Sequence, residues 1–149
     1  MRYILIFLTA CSFQISNAQT AEDSVKAVVN LLFEGMKSAN ADLVKSTFAD
    51  SAVLQTIRRN RDGSFFVDSE NPAEFATIVG QAKKDSLDER ISFDAVLIDG
   101  PLAVVWTPYK FYYAGNFSHC GVNSFQLVKI GGEWKIQYLI DTRRRQGCE

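Results

Sequence analysis

Apolar residues recur three and four positions apart between residues 21 and 38, where Val25, Val28, Leu32 and Met36 form a stripe widened by Val29, Leu31 and Phe33. That spacing predicts an amphipathic helix, and Glu22 and Asp23 suit the positive end of its dipole. Asn40 can cap a second, shorter helix over residues 41–48 that turns Leu43, Val44 and Phe48 inward. Residues 52–59 then switch to β-type side chains, and Asp62-Gly63 makes a hairpin turn before a short strand at 64–67. Asn71-Pro72 opens a third helix, 73–84, with proline at its first position and Phe75, Ile78 and Val79 facing in.

The remainder reads as strand. Residues 90–98 lead to Asp99-Gly100-Pro101, a turn. Strands at 102–113, 117–129 and 133–143 follow, joined by Gly turns. There is no repeat, low-complexity tract or linker. Helices, a hairpin, a helix and a four-stranded meander predict an α+β fold with three helices packed on one face of a curved antiparallel sheet.

Period-two alternation assigns the two faces of that sheet. Two-residue turns at Gly115-Asn116 and Gly131-Gly132 put Trp106 opposite Phe125 and Phe125 opposite Tyr138. This aromatic row defines a helix-facing side that also carries Tyr112, His119, Asn123, Leu127, Ile136 and Arg144. The opposite side then carries Val105, Thr107, Tyr109, Phe111, Cys120, Val122, Leu139, Asp141 and Arg143. Its apolar residues are a large area to leave in water, which points to a sheet-to-sheet homodimer.

At 149 residues the chain has the size of one domain. Its 16 basic and 17 acidic residues give no footprint for nucleic acid. Residues 1–18 read as a secretory signal peptide: Arg2, an apolar run at 3–13, and small residues at Ser16 and Ala18 ahead of a mature chain starting near Gln19. The run is too short to span a bilayer. Leu8-Thr9-Ala10-Cys11 also resembles a lipobox, so membrane attachment enters only if Cys11 is lipidated. Either route implies an exported protein, periplasmic or secreted. Asn116-Phe117-Ser118 matches a glycosylation acceptor, but the leader reads as bacterial. An oxidising compartment makes a Cys120–Cys148 disulfide possible; the alternative is a buried strand thiol and a loose terminal one.

Several segments resemble the nuclear transport factor 2-like superfamily: Leu102-Ala103-Val104-Val105-Trp106, Tyr109-Lys110-Phe111-Tyr112, Phe117-Ser118-His119-Cys120-Gly121, Phe125-Gln126-Leu127-Val128, Gly132-Glu133-Trp134-Lys135-Ile136 and Asp141-Thr142-Arg143-Arg144-Arg145. Within it the chain is most similar to the SnoaL-like group, which also carries a lumazine-binding name. The resemblance covers residues 19–149 and is carried by the last third. It implies a cone with the helices on the concave face of the sheet and a pocket between them, and dimers are common in such proteins. It implies no single activity, because the superfamily hosts isomerases, dehydratases, cyclases, binders and transport adaptors.

His119 is the one histidine, so a reaction needing a group that titrates near neutrality would most economically use it. A lone strand histidine is more often a structural hydrogen-bonding group than a catalyst. Asp94 could be a pocket carboxylate or a solvated strand residue. Arg143, Arg144 and Arg145 could clamp an anion or pair with acids such as Asp88 and Glu89; Arg58 and Arg59 carry the same ambiguity. One histidine and two separated cysteines offer no metal-ligand spacing. No nucleophile elbow, Walker loop or dinucleotide motif occurs, so no cofactor is implied.

Three functions fit. The first is binding of an unknown small, partly aromatic molecule by Trp106, Tyr112, Phe125 and Tyr138, with His119, Asn123 and Arg144 as polar anchors. The second is an isomerase or dehydratase in which His119 moves a proton and Tyr112 or Tyr138 polarises an oxygen. The third is a dimeric scaffold without ligand.

Overall fold

The first helix of the computed structural model begins on a capping box: the Thr20 side chain accepts from the Asp23 amide, and the Asp23 carboxylate accepts from the Thr20 amide. The structure describes residues 20–148, so the signal peptide expected at 1–18 and the lipobox-like Leu8-Thr9-Ala10-Cys11 lie outside the described residues. Helix α1 (Ala21–Ser38) ends at Ala39, whose left-handed backbone turns the chain into α2 (Ala41–Thr47), capped by the Asn40 side chain. Strand β1 (Phe48–Arg59) follows without a break, then β2 (Phe65–Glu70) and α3 (Pro72–Gln81). The Asn71 side chain caps α3 and Pro72 occupies its first turn, where a missing amide hydrogen costs nothing.

The strand expected at 90–98 is two strands, β3 (Leu87–Ile91) and β4 (Ala95–Asp99), which pair with successive halves of the long β5. Strands β5 (Leu102–Tyr113), β6 (Asn116–Ile130) and β7 (Glu133–Thr142) complete a sheet of order β2-β1-β7-β6-β5-β3, with β4 also on β5. This is the α+β cone that the pattern and the resemblance implied. One pairing departs from the antiparallel expectation: β1 runs parallel to β7.

Two bulges decide which side chains face the helices. The first turn is Ala114-Gly115, and Tyr113 pairs with Asn116. Register then slips between Phe111 and Tyr112, leaving Ser118 as an extra residue, so that Phe111 opposes His119 and Val105 opposes Phe125. On β7 a second slip after Leu127–Ile136 makes Gln137 the extra residue, so that Phe125 opposes Leu139. Each slip exchanges the faces of everything beyond it.

The expected aromatic row therefore does not form. Trp106 is 46% exposed while Phe125 is fully buried. Val105 and Leu139, assigned from the sequence to a dimer face, instead pack in the core under the helices, and Tyr109 is buried with its hydroxyl on Asp141. Phe125 meets Phe33 of α1 edge-to-face at 6.2 Å, joining sheet and helix at the centre of the core. Cys120 and Cys148 form a disulfide with Cα atoms 5.7 Å apart, holding the C-terminal segment against β6.

Candidate functional site

Where α1 and α3 lie over the sheet, the inner face leaves a cavity of about 60 Å³. Its walls are apolar: Leu32, Phe33 and Met36 from α1, Phe75 from α3, Leu54 from β1 and Leu139 from β7. Its other side is polar, built from Thr56, Glu70, Glu89, Asn123, Asp141 and Arg143. Five strands contribute to that cluster, so only the assembled sheet creates it.

The polar groups form two linked sets. Asn123 donates its amide to Glu89 Oε1 at 2.8 Å. Arg143 Nε donates to Asp141 Oδ2 at 2.9 Å, and Arg143 Nη2 donates to Thr56 Oγ1 at 3.1 Å. The Tyr109 hydroxyl reaches the same Asp141 oxygen at 2.9 Å and the Thr142 carbonyl at 3.0 Å. Asn123 and Asp141 are directly opposed across β6 and β7, which brings the two sets together.

Burial dominates the electrostatics of this end. Desolvation pushes the Glu89 carboxyl up to about 7, against the Asn123 hydrogen bond, which favours the charged form. The Asp141 charge also raises it, and Arg143 opposes that. Burial likewise raises Glu70, with Arg143 and Arg58 opposing. The Tyr109 phenol is raised by burial and by the Asp141 and Glu89 charges, so it stays protonated as a donor. Near neutral pH, Glu89 can thus give or take a proton beside a fixed amide donor and a guanidinium.

Of the residues expected to line a ligand site, Asn123, Phe125 and His119 lie on the inner face, and only Asn123 lines this cavity. Trp106, Tyr112, Tyr138 and Arg144 face outward, because the bulges at Ser118 and Gln137 invert their strands relative to the expectation. Tyr112 stacks under Arg90 at 4.2 Å, and Tyr138 donates to Gln55 at 2.7 Å. His119 lies beside Phe111 and Tyr109, with ring centroids 5.0 and 5.7 Å away, at the end of the inner face and outside the cavity lining. Its Nδ1 lies 3.0 Å from Ser118 Oγ; burial, then Arg143, lowers its affinity for a proton. Asp94 is exposed.

Glu89 was missed as a site residue, although its neighbourhood carried a cue. Leu87 and Ile91 flank it at the two-residue period and pack on the core, which places Glu89 on the same inner face. Asp141 and Arg143, which strict alternation puts on the opposite side of the sheet, face the cavity because of the extra residue at Gln137.

No family model matches the chain, and no curated protein matches it. Solved structures do. An NTF2-like protein of unknown function from Shewanella baltica OS155 superimposes with a TM-score of 0.63 at 15% identity, over 83% of this chain and 93% of that one. A domain of unknown function with a cystatin-like fold from Nostoc punctiforme gives 0.65 at 18%, over 87% and 82%. A ketosteroid isomerase-like protein from Erwinia carotovora atroseptica gives 0.60 at 16%, over 82% and 95%. At these identities the likeness establishes the nuclear transport factor 2-like fold.

Proposed function

We propose that this chain, with its nuclear transport factor 2-like fold, binds a small and mostly apolar molecule by one polar end. The observation that carries this reading is the gathering of Glu89, Asn123, Asp141 and Arg143, with Thr56 and Glu70, at one side of a core cavity whose other walls are apolar. Apolar walls with a few convergent polar groups are the usual composition of a small-molecule site. About 60 Å³ accommodates a few heavy atoms, so a larger ligand needs Met36 or Phe75 to move. Methionine suits that role, being unbranched and adaptable.

The apolar run at residues 3–13, read as part of a signal peptide, supports placing this binding outside the cytoplasm. A homodimer through the outer face of the sheet belongs to the same proposal. It is supported by the exposure of Trp106 at 46% and rests on different residues from those first assigned to it.

The test is native mass spectrometry of protein purified from its own host. A co-purifying small molecule that is lost in Asn123→Ala and retained in Tyr138→Ala supports the inner cavity. Retention in Asn123→Ala with loss in Tyr138→Ala would overturn it.

One observation favours a second reading. A carboxyl titrating near 7 is matched to proton transfer at neutral pH, and one protein of this fold is described as ketosteroid isomerase-like. In that reading Glu89, rather than His119, moves the proton. Glu89→Gln then abolishes turnover while ligand still binds, and unchanged turnover would discard it.

A further inference from the structure

Strand register on the outer face of the sheet sets charges of one sign side by side. Arg90 on β3 is directly opposite Lys110 on β5, Lys110 is opposite Cys120 on β6, and Cys120 is bridged to Arg144. Three cations thus share one row, interrupted only by the disulfide. Like charges directly opposed across antiparallel strands are unfavourable, so the row needs a compensating negative charge.

The chain supplies only part of it. Arg90 pairs with Asp88 at 2.9 Å and stacks on Tyr112. Among the described residues neither Lys110 nor Arg144 forms an ion pair. All three cations border one groove of about 230 Å³, together with Ser92, and no carboxylate lies among its lining residues.

The groove is also built rather than incidental. Arg144 Nε donates to the Gly147 carbonyl at 3.2 Å, which orients the guanidinium. The Cys120–Cys148 bond clamps that segment, and both cysteines line the groove. The cation on the tail is therefore held in register with the cation on the strand.

We propose that this groove is an anion site for the multiply charged oxyanion group of a small molecule, a phosphate ester or a polycarboxylate. Arg144 supplies a planar donor fork and Lys110 a point charge, a combination suited to such groups. The volume fits a charged head group rather than a whole drug-sized ligand, whose pockets run from about 300 Å³ upward. Its three cations lie on the opposite face of the sheet from Glu89, while Tyr109, which also lines the groove, donates to Asp141 of the inner cavity. Changing Lys110 and Arg144 therefore tests the groove without altering the cavity residues.

The test is an amide-resolved NMR titration with inorganic phosphate, and in a second arm with citrate, at constant ionic strength. Saturable shifts at Ser92, Lys110, Gly121 and Cys148 are expected in at least one arm. Lys110→Gln and Arg144→Gln should each weaken binding about tenfold, the scale of one charge-assisted hydrogen bond. Arg144→Lys should recover part of that loss, and Lys45→Gln should change nothing. Preference for one arm assigns the class of oxyanion. Shifts that never saturate, or affinity unchanged in the double variant Lys110→Gln/Arg144→Gln, would overturn the proposal. Both changed residues are exposed, so loss of fold would not confuse the result.

Discussion

The hydroxyl of Tyr109 on β5 meets Asp141 Oδ2 on β7 at 2.9 Å, reaching across the strand between them. Gly121 of β6 makes the crossing possible, because it pairs with Tyr109 and has no side chain. A Cβ there would fall on the Thr142 carbonyl oxygen and 2.7 Å from Tyr109 Cε1. Tyr109→Phe leaves the buried carboxylate with Arg143 as its remaining side-chain donor, and should cost about 1.5–3 kcal/mol in urea unfolding. Gly121→Ala should be more damaging, since a backbone carbonyl cannot step aside. Wild-type stability in both variants would mean that the crossing contributes nothing.

Glu89 should make stability depend on pH. Its folded-state value of about 7 lies above its ordinary value of 4.5. Between those values the folded chain binds more protons than the unfolded one, so stability falls as pH rises and the penalty is complete above about 7. Glu89→Gln keeps the acceptor for Asn123 and removes the charge. It should stabilise the protein at pH 8 by up to about 3 kcal/mol and leave it unchanged at pH 4. Parallel stability curves for the two proteins from pH 4 to 8 would refute this.

The disulfide should be measurable as a stability difference under reduction. It closes 28 residues of chain, a loop for which restriction of the unfolded state predicts about 2–4 kcal/mol. Urea midpoints with and without dithiothreitol test it. The Cys120→Ala/Cys148→Ala variant should show the reduced value in both conditions.

Ring truncation should separate the two faces of the sheet. Phe125 is fully buried against Phe33, so Phe125→Ala should cost about 3–5 kcal/mol. Trp106, 46% exposed, should cost well under that in a monomer. If the outer face forms a dimer, Trp106→Ala should instead shift the association equilibrium, which sedimentation velocity would detect.

Much of the fold could be read locally. Asn40 and Asn71 act as caps because their side chains satisfy amides at the helix starts, and Pro72 occupies the one helical turn that tolerates it. The Gly131-Gly132 turn sits where expected, with Ile130 paired to Glu133. Both glycines adopt the left-handed backbone that such a turn demands.

The site was legible only in fragments. Asn123 was assigned to the inner face, and Glu89 could have been placed there from Leu87 and Ile91 on either side of it. Trp106, Tyr112, Tyr138 and Arg144 could not be placed, because their faces depend on single extra residues at Ser118 and Gln137. Neither residue differs in type from its strand neighbours in any way that announces a bulge.

Helix positions, caps, the Gly131-Gly132 turn and the alternation along each strand follow from interactions spanning a few residues, and the amino-acid order determined them. The other Gly turn, expected at Gly115-Asn116, lies one residue earlier, at Ala114-Gly115. Which alternation faced the helices was decided by register between strands, and hence by how the whole sheet packs on α1 and α3. A strand's period of two makes that choice binary, so one bulge reverses it. The Glu89, Asn123, Asp141 and Arg143 cluster and the Arg90, Lys110 and Arg144 row exist on opposite faces for that reason.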